Sequence, residues 1–177
     1  MNYRPSDLLR GRAIPDAVLH ALPKTDLHVH LDGSLRLETF RELGRAAGLD
    51  MPDDAASVRA RYFPADRVSS MPDFLAHFDA TVRCLQTPES LERVARELAE
   101  DAAAVNVRVL EVRFCPLLHL ERGLTLDDVV AAVRRGLDAV PAVRTGVIVT
   151  GLRTVEPAQS LALAELAVRW KGHGVVA

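Results

Sequence analysis

The chain has 177 residues, of which 49% are hydrophobic and 26% charged, and its formal net charge is −2. This composition predicts one globular domain over residues 1–177, and the charge argues against the basic surface that nucleic-acid binding needs. No apolar run is long enough to span a bilayer. Because the N-terminus lacks the apolar core of a signal peptide, we expect a cytoplasmic protein that binds neither nucleic acid nor membranes.

The first part of the chain is predicted to form an extension, a strand, a helix and a loop. Residues 1–20 are the extension, and residues 24–31 alternate polar and apolar side chains with the period of a strand. Ser34 is predicted to cap a helix that ends at Gly48. Residues 50–68 are predicted to be a loop, because two prolines interrupt them.

The rest of the chain alternates helical and strand-like patterns. The predicted helices begin at Ser70, Pro88, Thr125 and Pro157, and the predicted strands span residues 107–114, 143–149 and 175–177. The first of these helices has a capping box of Ser70 with Asp73, and the second has proline at its first helical position. The last of these segments, residues 175–177, is predicted to be only the start of a strand.

Strands separated by helices imply parallel crossover units, in either an open doubly wound sheet or a closed barrel. The strands at residues 24–31 and 107–114 are polar on one face only, which favours a barrel whose inner face carries a site at the C-terminal ends of the strands. A complete barrel needs about 250 residues. The prediction is therefore an α/β fold: a partial (β/α)₈ TIM barrel with the first three βα units and the start of the fourth strand. Its open edges favour self-association.

The polar face of the first strand carries residue types that bind metals. Asp26, His28, His30 and Asp32 are two residues apart, so we predict that they share one face. Two imidazoles there can bind one divalent ion, and zinc suits nitrogen ligands. The carboxylates can orient the ligands or bind substrate hydroxyls. The spacing alone leaves open a strand whose solvent-facing side is simply polar.

Three segments of the sequence resemble the adenosine deaminases of the metal-dependent amidohydrolase superfamily. They are LPKTDLHVHLDGSL at residues 22–35, MPDFLAHFD at residues 71–79 and VLEVRFCP at residues 109–116. The segments occur in the family's order, and the resemblance covers nearly all of the chain from about residue 20. It identifies the chain as similar to the N-terminal half of such an enzyme.

The resemblance implies a role for each matching residue. His28 and His30 correspond to the first two zinc ligands, and His30 also lies against the substrate. Asp32 corresponds to the residue that binds the ribose 5′-hydroxyl, and aspartate here favours a nucleoside over free adenine. A hydrophobic gate over the purine is implied for Met71, Phe74, Leu75 and Phe78. From spacing alone, an apolar stripe of this kind is more often ordinary core than a gate.

A second pair of charged residues, Glu111 and Arg113, matches a segment of the barrel wall in that family. Both residues lie on one face of the strand at residues 107–114. We expect a structural ion pair or network there, because charges that face inward need partners.

The implied activity is zinc-dependent hydrolytic deamination of adenosine, or a related purine nucleoside, to inosine and ammonia. Bound zinc lowers the pKa of water towards ~7 and so supplies hydroxide. In the family, the third histidine, the proton-donating glutamate and an aspartate pair come from later strands. We therefore predict no catalytic residue within this segment, expect the glutamate after Ala177, and expect residues 1–177 alone to be inactive. The alternatives are an adenine or modified-nucleoside deaminase and a noncatalytic nucleoside-binding fragment of the family.

Overall fold

The computed structural model describes residues 14–63 and 71–177, and it describes no side chains for residues 71–77. These residues form helices and strands that alternate along most of the chain. In chain order they are α1 (Asp16–Ala21), β1 (Lys24–His30), α2 (Leu37–Ala46), α3 (Ala55–Tyr62), α4 (Met71–Cys84), α5 (Pro88–Ala104), β2 (Val107–Phe114), α6 (Leu126–Asp138), β3 (Arg144–Val149) and α7 (Pro157–Arg169). Short 3₁₀ turns follow β1 and β2, at Leu31–Gly33 and Pro116–His119. None of the described helices is long and apolar enough to cross a membrane.

The sheet is parallel, in the order β1-β2-β3. Its far edge continues into the last residues of the chain, because the N–H of Val176 donates to the carbonyl of Val147 at 2.8 Å and the N–H of Val149 donates to the carbonyl of Ala177 at 2.8 Å. Val175 also bridges Val147 in a parallel sense. The start of a fourth parallel strand is therefore confirmed, and the partial barrel is the fold of this chain.

The core lies between one face of the sheet and the two central helices. Leu110, Val112 and Phe114 of β2 are buried, and they pack in one cluster with the apolar faces of α5 and α6. Glu111 and Arg113 point to the opposite face, as the period-two alternation predicts. We call this opposite face, which is turned away from α5 and α6, the inner face.

Helices α5 and α6 approach each other closely at Gly136. A methyl group there would meet the carbonyl oxygen of Glu92 and would lie 2.9 Å from the Cβ atom of Ala95. Because a backbone carbonyl cannot move aside cheaply, we expect Gly136→Ala to lower the free energy of unfolding by about 3 kcal/mol. Urea denaturation measures this change. The control is Gly151→Ala, where nothing lies within 4 Å; equal losses in the two variants would contradict the close approach.

Most helix starts agree with the sequence analysis. Thr87 and Thr125 form capping boxes with Ser90 and Asp128 at the starts of α5 and α6, and α7 begins at Pro157 as predicted. The capping box at Ser70 and Asp73 lies outside the described residues.

Two local predictions were wrong. Ser34 does not cap α2, which begins at Leu37; its hydroxyl donates instead to the carbonyl of His30 at 2.5 Å. The predicted loop over residues 50–68 contains α3, whose first turn is capped by Asp54, with Oδ1 accepting from the N–H of Ser57 at 2.8 Å. The capping bond stabilises the first turn of a short helix that fits between the two prolines.

Both edges of the sheet carry exposed apolar side chains. At the β1 edge, Leu27 is 51% exposed, and α1, which forms in the last part of the predicted extension, buries none of its residues. At the other edge, Val168 on α7 is 73% exposed and Val176 is 58% exposed. Apolar surface of this extent at open sheet edges is typical of surfaces that another element covers.

Candidate active site

The two histidines of β1 lie side by side at the C-terminal end of the strand. Their ring centroids are 5.6 Å apart and the rings are tilted by 37°. His30 pairs in register with Arg113 of β2, so both residues lie on the inner face. The side chain of His30 is 46% exposed. Both imidazoles are thus presented together at the end of the sheet where barrel enzymes bind their substrates.

A β-bulge interrupts β1 between Asp26 and Val29, so Leu27 and His28 lie within it. Asp26 pairs with Leu110, but the next regular pair joins Val29 to Val112, so three steps along β1 match two along β2. Paired residues of parallel strands point to the same face, and Leu110 is buried towards the helices. Asp26 therefore lies on the face opposite to His28 and His30. The prediction that all four polar residues share one face was wrong for Asp26, because the extra residue shifts the alternation.

Asp32 is not on the strand. It lies in the 3₁₀ turn after β1 and is only 7% exposed. Burial raises the pKa of its carboxyl group, and this rise is opposed by the nearby His30 imidazole, whose Nδ1 lies 3.8 Å from Asp32 Oδ1. Oδ1 is buried and finds no hydrogen-bond donor among the described residues. A buried acceptor without a donor is costly, and a hydroxyl of a bound ligand would satisfy it.

A pocket of about 470 Å³ opens beside Asp32 and His30, within the size range of small-molecule sites. Its walls come from the C-terminal ends of all three strands and from α4. Besides Asp32 and His30, they include Phe78, Phe114, Cys115 and Thr150. The lining is mostly apolar with a few polar groups, which is typical of a site that binds a flat organic ligand and fixes its orientation.

Of the four residues proposed as a gate, the structure places one. The ring of Phe78 lines the pocket, and its Cε1 atom would lie 3.2 Å from a Cβ atom at Gly33. Glycine here lets α4 approach the end of β1 closely. The side chains of Met71, Phe74 and Leu75 lie outside the described residues.

Thr150 is a pocket residue that the sequence analysis missed. Its N–H donates to the carbonyl of Phe114 at 2.9 Å, and its Oγ1 is buried with no partner in the described part of the chain. Thr150 directly follows β3. The rule that barrel sites form at the C-terminal ends of strands was the signal that could have identified it.

The predicted ion pair in the barrel wall is wrong. Within residues 14–63 and 78–177, Glu111 and Arg113 form no salt bridge with each other; Arg113 Nη2 instead donates to the carbonyl oxygen of Leu27 at 3.3 Å. Residues two apart on one strand share a face with their side chains parallel, and here Arg113 donates to a carbonyl of the neighbouring strand.

His119 is fully buried in the turn after β2, and it does not line the pocket. Its Nδ1 lies 2.9 Å from the carbonyl oxygen of Leu85, and its ring lies 5.9 Å from that of Phe114. Burial lowers the pKa of this imidazole to about 4, and the hydrogen bond to Leu85 only partly opposes the change. His119 is therefore a neutral core residue, and neither a ligand nor a base.

This lowered pKa predicts a loss of stability in acid. The unfolded chain protonates the imidazole near pH 6.5 and the folded chain only near pH 4, so its contribution is complete above about pH 6.5 and is lost as the pH falls towards 4. As the pH falls from about 7 to 4.5, we expect this histidine to lower the free energy of unfolding by about 2 kcal/mol. In urea titrations at several pH values, His119→Asn should reduce the pH dependence of the free energy of unfolding by that amount, whereas the control His173→Asn should not change it. A parallel pH profile for wild type and His119→Asn would contradict the assignment.

The donor set of this site supplies two of the ligands that a zinc ion needs. Neutral imidazole nitrogen suits zinc, and the two rings are close enough to bind one ion. In the part of the chain that the structure describes, no group of three His, Cys, Asp or Glu side chains lies close enough to hold a metal ion. His28 and His30 therefore fit as two of the protein ligands of a metal site, since catalytic zinc has three in most enzymes.

Comparison with known proteins identifies the family of this chain. A protein-family model described as adenosine deaminase matches residues 23–177. Adenosine deaminase 1 of Streptomyces coelicolor is 42% identical over 172 residues, covering 92% of this chain and 43% of the relative. An adenosine deaminase of Vibrio vulnificus is 38% identical over 160 residues, covering 88% of this chain and 48% of the relative. The chain thus spans less than half the length of these relatives.

Solved structures with the same fold include deaminases for several purines. An amidohydrolase from Burkholderia ambifaria with bound Zn is 28% identical, with a TM-score of 0.80 over 95% of this chain and 47% of that one. The N6-mAMP deaminase of Arabidopsis is 27% identical, with a TM-score of 0.77 over 90% of this chain and 50% of that one. An adenine deaminase from Arthrobacter aurescens is also 27% identical, with a TM-score of 0.72 over 85% of this chain and 46% of that one. From its motifs, its fold and these matches, the chain belongs to the adenosine deaminase family.

Proposed function

We propose that this chain is the N-terminal half of a zinc-dependent deaminase that converts adenosine, or a related purine nucleoside, to inosine and ammonia. The observation that supports this proposal most strongly is the pair of imidazoles on the inner face, beside a pocket that contains a buried carboxylate. Family membership supports purine deamination in general. The positions of the two imidazoles and of the buried carboxylate support zinc dependence and a nucleoside substrate.

The residues of this chain would bind and orient the reactants. His28 and His30 would hold the zinc ion, which when bound supplies an acidified water molecule as the nucleophile. Asp32 would accept a hydrogen bond from a ribose hydroxyl, since its Oδ1 has no donor in the part of the chain that the structure describes. Phe78, together with Met71, Phe74 and Leu75, would cover the purine and exclude water. We propose that the remaining ligands and the proton-donating glutamate come from a segment after Ala177.

A nucleoside fits this pocket better than a nucleotide does. Asp32 is a buried carboxyl group in the wall of the pocket, and its negative charge would repel a phosphate group nearby. Free adenine would leave the same carboxylate without a hydroxyl donor, and a buried polar group left unpaired costs about 1–3 kcal/mol. Adenine is therefore the second candidate, favoured only by the similarity to the Arthrobacter enzyme.

A substrate panel tests the proposal. Ammonia release by the complete zinc-loaded protein is measured with adenosine, adenine and N6-methyl-AMP, and we expect the highest kcat/KM for adenosine. Residues 1–177 alone should release no more ammonia than their His28→Ala variant. A preference for adenine or for the nucleotide would overturn the nucleoside assignment. Activity of the isolated segment would overturn the proposal that the remaining ligands and the glutamate come from a segment after Ala177.

We also propose that the isolated segment self-associates through its sheet edges. Val168, Leu161 and Leu27 are exposed on elements at the two edges, and such edges pair readily with further strands or apolar surfaces. Light scattering on residues 1–177 should show a mass that increases with concentration. A combined Leu161→Lys and Val168→Lys variant should shift the distribution towards monomer. A wild-type segment that stays monomeric at every concentration would contradict this proposal.

A further inference from the structure

The β1 bulge determines which face of the sheet carries the histidines. Asp26, His28 and His30 are two residues apart, so a regular strand would place all three on the same face. Asp26 pairs with Leu110, which is buried on the helix side. Relative to that pair, both histidines would point towards the helix side of the barrel wall without the extra residue. An irregularity of the opposite kind precedes the bulge, since one step from Lys24 to Thr25 matches two steps along β2, and the bulge restores the register with which the strand begins. The bulge reverses this alternation, and His30 instead pairs with Arg113 on the inner face.

A bulge leaves backbone groups without their regular ladder partners, and here two side chains contact such groups. The N–H of His28 donates to Asp26 Oδ1 at 3.1 Å. In the same unpaired stretch, Arg113 Nη2 donates to the carbonyl oxygen of Leu27 at 3.3 Å. One bond thus comes from the residue before the bulge, and the other comes from the neighbouring strand.

We propose that Asp26 and Arg113 are positioning residues that hold this bulge, and that they thereby aim His28 and His30 at a shared metal ion on the inner face. The inference rests on the proposed function in taking the two imidazoles as metal ligands. Neither residue needs to touch the ion or the substrate. Asp26 acts through the backbone of His28, and Arg113 acts through the backbone of Leu27.

The chemistry of the two bonds predicts which substitutions are tolerated. Asparagine at position 26 keeps an oxygen that can accept from the His28 N–H, whereas alanine does not. Lysine at position 113 keeps a donor, whereas methionine keeps only the apolar stem. A purely structural role for the charges would make Asp26→Asn as harmful as Asp26→Ala. A positioning role through hydrogen bonds predicts rescue by the conservative variants.

Metal affinity provides the first test. The complete protein is stripped of metal, and its zinc affinity is measured by competition with a chromophoric chelator, together with the visible spectrum of the Co²⁺-loaded form. We expect Asp26→Ala and Arg113→Met each to weaken zinc binding about 10- to 100-fold and to change the cobalt bands. Asp26→Asn, Arg113→Lys and the control Arg108→Met, an exposed arginine earlier on β2, should stay close to wild type. Unchanged affinity in the alanine and methionine variants would overturn the proposal.

Amide hydrogen exchange of the metal-free protein provides a second test that depends neither on zinc nor on activity. The His28 N–H should be protected in wild type and in Asp26→Asn, and it should exchange faster in Asp26→Ala. An unprotected His28 amide in the wild-type protein would overturn the inference, even if the alanine variant fails to fold. If the wild-type protein binds no zinc, the proposed function fails, whereas the inference about the bulge is then decided by this exchange measurement alone.

Discussion

Replacing His28 or His30 with alanine is expected to lower kcat/KM for adenosine by about 1,000-fold or more in the complete protein. Each substitution removes one of two neighbouring imidazoles, of which His30 lines the pocket and His28 lies beside His30. Losing the metal would remove both the acidified water and several kcal/mol of stabilisation of the developing charge, and about 4 kcal/mol corresponds to about 1,000-fold in rate. Steady-state kinetics and zinc content by mass spectrometry measure the two effects together.

The matched control for this prediction is His20→Ala, because His20 is an exposed histidine in α1, away from the pocket. It should retain wild-type kinetics and zinc content. His28→Ala and His30→Ala variants that keep both their zinc and their activity would show that the two rings are not ligands. Loss of activity with full zinc content would instead assign them to substrate binding alone.

Replacing Asp32 with alanine is expected to lower kcat/KM for adenosine by about 10- to 150-fold. Asp32 Oδ1 is buried and has no donor among the described residues, so a ribose hydroxyl would form a hydrogen bond to a charged group, worth about 1.5–3 kcal/mol. The nearby His30 suggests that the hydroxyl would sit next to the metal ligands. Kinetics with adenosine and with 5′-deoxyadenosine measure the size and the origin of the effect.

The second substrate serves as the internal control. Because 5′-deoxyadenosine lacks the hydroxyl, the wild type and Asp32→Ala should process it at similar rates. The zinc content of the variant should equal that of the wild type. An equal loss for both substrates would mean that Asp32 does not recognise the 5′-hydroxyl, and the carboxylate would then act on the metal site or on local folding.

The regular elements of this fold could be predicted because their signals are local. Thr87 and Thr125 begin α5 and α6 with side chains that cap within three residues. The alternation along β2 correctly separated its buried face from its inner face. The neighbouring positions of the His28 and His30 rings followed from their spacing, and their role as zinc ligands is proposed from the resemblance of the surrounding motif.

The features that could not be predicted depend on contacts between distant residues. The bulge in β1 involves Arg113, which is 86 residues from Leu27 in sequence, and a periodicity rule assumes a regular strand. The burial of Asp32 depends on α4 and on the ends of the neighbouring strands, which close over the 3₁₀ turn. Thr150 becomes a pocket residue only when β3 pairs with β2. In each case the local sequence is compatible with more than one position of the side chain, and contacts with distant residues determine which position it takes.

The most direct test of this account is the position of zinc in crystals of the complete protein, located by anomalous X-ray scattering at the zinc edge. The account predicts one zinc ion within about 2.0–2.1 Å of a ring nitrogen of both His28 and His30, on the inner face and beside Asp32. A zinc ion bound elsewhere, or either histidine turned to the helix side of the sheet with no bond to the metal, would contradict it.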